Sequence, residues 1–443
     1  MDTTPRPAVA GLARRIDGPV LRPGDDDYDR ERSGFNLAVD QRPALIVGAV
    51  SAADVAAAVR FAADHGLRVT AQATGHGAGV PLDGGVLVGT RRLDGVRLDA
   101  GARLARVEAG VRWRQVIEPA AAAGLAPLSG SSPLVGAVSY LLGGGLPVLG
   151  RTFGWGADRV RRLEVVTADG ELVAAGPDEN ADLFWALRGG KGGFGIVTTA
   201  EVELVPLPRL YGGGLIFAAE SAAMVATVAH AWRAWSAELP EAMNTALAFV
   251  RLPGGPLTAH VRIAYAGDAD DGAALVRPLR GLGPLADTVA PLSPAAIGAV
   301  YNDPTEPIPY DERSLLLASF DDAAVDALVE VAGPDAPGGV IMVDVRRLGG
   351  ALPRRPEHPR ALDHGTAEFS LAALGLDPVA TEAVLDRLRP WSTGLRFLNF
   401  LGGPAAAALA HEAFPPETLA RLAAVKRDRD PHGVFPAPHL AAS

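Results

Sequence analysis

The chain contains no cysteine in 443 residues. Disulfides, thiolate metal sites and a thiol nucleophile are excluded at once, and a reducing cytoplasm is the expected compartment. Blocks of positive charge are missing as well. The formal net charge is −10, and no Lys/Arg run is long enough to follow a phosphate backbone, so nucleic acid is not an expected partner. The 9 histidines are scattered without HExxH or similar spacing, and no metal site is expected. Met1 to Val20 lacks a continuous apolar segment, so no signal peptide is expected. The long uncharged run from Pro119 to Gly150 is interrupted by Gly143-Gly144-Gly145, which would break a spanning helix, and no membrane association is expected. A GxSxG elbow is absent too. Gly130-Ser131-Ser132 does not supply one, which argues against a serine hydrolase.

Apolar residues make up 48% and charged residues 21% of the chain, the balance of a water-soluble fold with ample core. The length predicts about two or three domains. Up to Gln41 the sequence reads as an irregular arm, with Asp25-Asp26-Asp27 as a solvated turn. Pro43 to Val47 is a strand. Ser51 opens a helix with Asp54 as its capping-box partner, and Gly66 closes it. Further strands are predicted at Leu67–Ala73, Gly85–Thr90 and Leu104–Ala109, and a helix from Trp113 to Gly124. Leu163–Thr167 and Glu171–Ala174 form a hairpin in which Asp169-Gly170 suits a type I′ turn. A helix follows at Asp182–Arg188, a glycine turn at Gly189–Gly195 and a strand at Ile196–Val205.

Pro206 and Pro208 mark a break. Beyond it, strands are predicted at Leu215–Ala218, Thr245–Arg251, Ala259–Tyr265, Ser314–Phe320, Val340–Arg346 and Ala367–Ala373. Helices are predicted at Ala222–Glu238, Asp270–Arg280, Ala323–Val331 and Pro378–Leu388. That rhythm implies one antiparallel sheet backed by helices, an α+β arrangement. The tail holds Phe397-Leu398-Asn399-Phe400, a helix near Pro416–Arg427, and Asp430-Pro431.

Two glycine loops stand out: Thr74-Gly75-His76-Gly77-Ala78-Gly79, and Gly130-Ser131-Ser132-Pro133-Leu134-Val135-Gly136 leading into Leu142-Gly143-Gly144-Gly145. Loops of this kind let the backbone approach a large phosphate-bearing cofactor and converge its N–H groups on an anion. Gly190-Lys191-Gly192-Gly193-Phe194-Gly195 matches GxGxxG, but it follows a helix and precedes a strand, the reverse of the dinucleotide fingerprint.

Taken in order, several stretches resemble the FAD-linked oxidase family with the vanillyl-alcohol-oxidase (PCMH-type) fold, and its berberine-bridge-enzyme-like branch with the bacterial oxidases of natural-product pathways. They are Ala73-Thr74-Gly75-His76-Gly77, the second glycine loop, Asp182-Leu183-Phe184-Trp185-Ala186-Leu187-Arg188-Gly189-Gly190 with Phe194-Gly195-Ile196-Val197, and the tail's Asn399-Phe400 and Asp430-Pro431. The resemblance covers Pro43 to Pro206 and the tail. It is weak between Arg209 and Leu395.

The resemblance implies a two-subdomain FAD domain in residues 1–208, completed by 396–443, with a substrate domain inserted at 209–395. It implies that His76 bonds the flavin 8α carbon. Backbone around Thr74, Gly75, Gly77, Ala78, Gly79, Gly130, Ser131, Ser132, Val135, Gly136, Gly143, Gly144, Gly193, Gly195, Ile196 and Val197 is then expected to hold the FAD, with Asn399. Ser132 stands where many relatives have a second, cysteinyl link, so only one tether is available. Phe397 stands where relatives often carry a tyrosine base. Substitutes are Tyr140, Tyr301, Tyr310 and His364, the last at a place where relatives often have a histidine facing substrate. The activity implied is oxidation of a medium-sized organic, secondary-metabolite-like substrate, with O2 reoxidising the flavin. Alternatives are a non-redox cyclase or isomerase of the same fold, or a dehydrogenase using another acceptor.

Overall fold

The computed structural model describes residues 6–77, 81–404 and 406–440. Three main sheets carry the architecture. In the first, Leu45–Gly48, Val86–Gly89 and Val69–Gln72 run parallel, and Val20–Leu21 adds antiparallel at the edge. The helix Ala52–Asp64 buries Val55, Ala58, Val59 and Ala62 against it. Ser51 caps that helix by accepting from Asp54 N (3.2 Å). Asp54 does not complete a capping box. Its carboxylate instead accepts from Val50 N, Asp17 N and Gly18 N, tying the N-terminal segment down.

That segment is not irregular. It holds helices Arg6–Ala13 and Tyr28–Arg32, and buried Glu31 of the second takes two hydrogen bonds from Arg92 (3.0 and 2.7 Å). Such short elements lack the periodicity that marks a helix in sequence, because tertiary contacts form them.

The second sheet is antiparallel, in the order Val96–Asp99, Leu104–Glu108, Ile196–Glu203, Val160–Val166, Leu172–Ala175. Its predicted hairpin is present, but the turn is not type I′. Only Gly170 has positive φ (+77°), and Gly170 N donates to Thr167 O (2.9 Å). This is a three-residue-type connection with a left-handed glycine at its end.

The third sheet confirms the α+β class. Its main order is Leu210–Ala218, Leu257–Tyr265, Met243–Arg251, Val340–Arg347, Phe369–Gly375, Asp311–Leu317, all antiparallel. Strand period decides what each face meets. Leu247, Val261, Val345, Leu371 and Leu315 pack beneath helices Ala222–Ala237, Asp322–Ala332 and Pro378–Leu388. The alternate residues, among them His260, Arg262, Met342, Arg346, Leu374 and Glu312, line a cavity.

The tail reaches both regions. Val434 O accepts from Val69 N (2.8 Å) beside the first sheet, while Glu312 and Gly402 exchange two backbone bonds (3.0 Å each) beside the third. Among the described residues, no helix is long and apolar enough to cross a membrane and no side-chain cluster suits a metal ion.

Candidate active site

A cavity of about 1430 Å³ lies between the glycine loops and the open face of the third sheet. Ordinary small-molecule pockets span roughly 300–1,000 Å³, so this one has room for a large cofactor and a further ligand.

Thr74, Gly75, His76 and Gly77 form one wall; Ala78 and Gly79 lie outside the described residues. Gly75 has φ +70°, and any Cβ there would overlap Gly34. Only glycine lets the chain turn this tightly. The turn aims His76 into the cavity. Its ring stacks on Phe35 (centroids 3.9 Å apart, 11° between planes), and its Nδ1 pairs with Thr74 Oγ1 at 2.8 Å. Nε2 is buried and, among the described residues, has no hydrogen-bond partner. Burial, with the nearby Arg112 charge, pushes the imidazole down to about 4, so the ring is neutral at ordinary pH.

The second loop contributes Gly130, Ser131, Ser132, Val135 and Gly136 to the lining. Ser132 Oγ accepts from Leu134 N (3.3 Å). Gly143 and Gly144 do not line the cavity. A Cβ on Gly143 would overlap Asn399 and one on Gly144 would meet Leu362. Gly143 thus makes room for Asn399, which lines the cavity and donates from Nδ2 to Tyr140 O (2.8 Å).

Gly193, Gly195, Ile196 and Val197 form a third wall. Lys426 Nζ donates to Gly193 O (2.7 Å) and Phe435 O (2.6 Å), and pairs with Asp430. Asp430 also accepts from Val434 N and Phe435 N (2.8 Å each). The Asp-Pro of the tail is therefore the clamp on this turn. Arg188 of the preceding motif is buried and donates to Ala157 O (2.8 Å), His358 O (3.1 Å) and Pro359 O (3.2 Å), away from the cavity.

Of the proposed bases, Tyr140, Tyr301 and Tyr310 line the cavity and His364 does not. His364 packs on Trp155 (5.3 Å), behind the wall. Tyr140 stands edge-on to Trp113, and its buried hydroxyl has no partner among the described residues. Tyr301 lies between Arg262 and Arg346, each 4.5 Å from its ring. Tyr310 donates from its hydroxyl to His76 O (2.5 Å). Burial holds all three phenols above their usual range, so they stay protonated donors. The Phe397 ring is buried among Trp155, Leu316 and Leu348, and is not at the cavity wall.

Sequence reasoning passed over Lys191, Glu312 and Arg346, all on the cavity wall. Lys191 sits at φ +61° and extends Nζ to Gly77 O (3.4 Å). Burial lowers it to about 8 against the opposing pull of Glu312. Arg346 gives Nε to Asp344 (2.6 Å), which also binds Arg262 (2.6 Å). A signal was present: charged residues alternate with apolar ones in Leu257–Tyr265 and Val340–Arg347, as expected for strands with one face turned away from the core.

Comparison with known proteins agrees with this architecture. Residues 43–176 match the FAD binding domain family model. Across 442 residues, and 95% of each chain, the sequence is 29% identical to (R)-6-hydroxynicotine oxidase of Paenarthrobacter nicotinovorans. The crystal structure of 6-hydroxy-D-nicotine oxidase from Arthrobacter nicotinovorans superposes with a TM-score of 0.83 at 26% identity, covering 96% of this chain and 97% of that one. The BBE-like 1 protein of Physcomitrella patens shares the fold, with a TM-score of 0.84 at 20% identity over 97% of this chain and 98% of its own. Over nearly its whole length the chain is thus similar to FAD-linked oxidases with this fold, and it is an FAD-linked oxidoreductase that carries an FAD binding domain.

Proposed function

We propose that the protein is an oxidase holding its FAD by one covalent link, from His76 to the flavin 8α carbon. The observation that carries this reading is the imidazole itself. It is neutral, anchored at one nitrogen by Thr74, and has a second, buried nitrogen without a partner among the described residues, beside a cavity large enough for FAD. A second link through the other loop is unavailable, since Ser132 occupies the place and no cysteine exists.

Backbone N–H groups of the glycine turns would hold the diphosphate, with the Lys191 ammonium as counter-charge. Residues 1–208 and 396–443 would form the cofactor-binding part, and 209–395 the substrate wall. When bound, FAD supplies a two-electron acceptor. The chain's own residues position the substrate and exclude water. Ile216, Val250, Leu374 and Phe400 give the substrate side an apolar surface, which suits a medium-sized organic molecule such as a polyketide or alkaloid-like intermediate better than a sugar. O2 is the proposed final acceptor.

Acid-precipitated protein should stay yellow, and His76→Ala should release its colour on precipitation. Colour wholly in the supernatant of the unmodified protein contradicts the link. One observation favours a second reading, a non-redox cyclase or isomerase: the tail position that often carries a base holds Phe397, turned away from the cavity. Anaerobic addition of substrate separates the two. Bleaching of the flavin means oxidation, and turnover without bleaching means the alternative. Peroxide formation separates an oxidase from a dehydrogenase that uses another acceptor.

A further inference from the structure

We infer that Glu312 is the proton acceptor of the oxidation, a catalytic carboxylate carried by the substrate-side sheet in place of any tail residue. The inference rests on the oxidase reading above and names the base that reading lacks.

The argument begins with register. Glu312 lies on Asp311–Leu317, with Leu374 opposite it and Met342 beyond. All three line the cavity, so the carboxylate projects from an otherwise apolar row. Its flanking residues Asp311 and Arg313 are buried and pair with each other (2.7 Å), leaving Glu312 to face inward alone. Among the described residues its carboxylate has no hydrogen-bond or ion-pair partner. Its backbone is fixed by the two-way pairing with Gly402. Two residues before it, Tyr310 bonds the His76 carbonyl, which sets Glu312 on the stretch of wall next to the proposed tether.

The neighbouring charges are few. Arg346 and Asp344 come from the strand Val340–Arg347 of the same sheet, Asp303 from the loop before Tyr310, and Lys191 from the glycine turn. No titratable side chain comes from the Leu398–Gly402 segment. Burial dominates and pushes the carboxyl up to about 7, so it is half ionised near neutrality. This is the range in which a base is effective. The three cavity phenols are held protonated, and Phe397 has no proton to exchange.

The step balances as follows. Glu312 takes the proton of a substrate O–H or N–H. The electrons of that bond form the new C=O or C=N, and the carbon's hydrogen leaves as hydride to the FAD. Glu312 later returns its proton to water.

The test uses the flavin-loaded enzyme without substrate first. Wild type should show a step in flavin absorbance near pH 7 that Glu312→Gln removes and Glu312→Asp retains, with all three pellets yellow in acid. Persistence of the step in Glu312→Gln overturns the proposal. The second arm screens 6-hydroxynicotine, benzylic alcohols and cello-oligosaccharides for anaerobic bleaching. With any probe that bleaches wild type, the rate should rise with pH through about 7, and Glu312→Gln should be slower by about 100-fold or more. An unchanged rate and pH profile in Glu312→Gln also overturns it. Wild type that no probe bleaches counts against the oxidase reading instead, while the absorbance step still decides Glu312.

Discussion

The phenol of Tyr310 donates a 2.5 Å hydrogen bond to the backbone carbonyl of His76. One side chain from the edge of the third sheet thus fixes the peptide that presents the imidazole. The phenol stays protonated because burial and the nearby Glu312 and Asp303 charges oppose its ionisation. Tyr310→Phe removes the donor and leaves a carbonyl short of a partner, a loss of roughly 1–3 kcal/mol. The expected outcome is a lower denaturant midpoint and a smaller fraction of acid-stable yellow colour, both measurable on the same preparation.

The two glycines flanking His76 should respond differently to alanine. Gly75→Ala forces a side chain to φ +70° and into Gly34, with strain of order 1–3 kcal/mol before the clash is counted. Gly77 does not have positive φ, and among the described residues a Cβ there meets only the Nζ at the end of the Lys191 side chain, at 3.1 Å. We expect Gly75→Ala to be purified colourless and Gly77→Ala to be yellow. Equal flavin content in the two variants would contradict the geometry.

Lys191 is a half-buried cation that reaches the first loop at Gly77 O (3.4 Å). In the His76→Ala background, where flavin binding is reversible, Lys191→Met should weaken FAD by about 10-fold or more, as expected for losing a desolvated charge pair. Riboflavin, which has no phosphate, should be held equally by both proteins. The sign with pH follows from a free-state value of about 8. The ammonium is charged below that value, so FAD affinity of the apo-protein should fall as pH rises above it. Titration of protein fluorescence with each ligand checks both points.

Asp430 is buried, paired with Lys426, and accepts two backbone N–H groups. Asp430→Ala strands a partly buried ammonium, a change that typically costs about 3–5 kcal/mol. Lys426 also holds Gly193, so the variant should lose flavin as well as stability. Asp430→Asn, which keeps an acceptor, should lose less of both in chemical denaturation.

Part of the cavity wall was legible because glycine reports backbone requirements directly. Gly75 and Gly136 line the cavity as expected of their loops. Gly143 shows the limit of that logic, since a glycine makes room for whatever approaches it, and here that is Asn399. The third sheet was readable from its alternation, but Leu210–Ala218 was read short because Gly212-Gly213-Gly214 hid its first half. The N-terminal segment was missed for the opposite reason. Its helices depend on Glu31 meeting Arg92 and on Asp54 reaching Asp17, partners distant in sequence. Glu312 and Lys191 escaped notice likewise, because a carboxylate without a partner is a property of the folded surroundings, not of the residue.

The bond from Val69 to Val434 joins two stretches of chain far apart in the sequence. Synthesis runs in one direction, so the first sheet leaves the ribosome long before its last neighbour exists. The Gly193 turn likewise waits for Lys426. A chain cut before Lys426 is therefore expected to lack both the clamp on the Gly193 turn and the support that Val434 gives the first sheet.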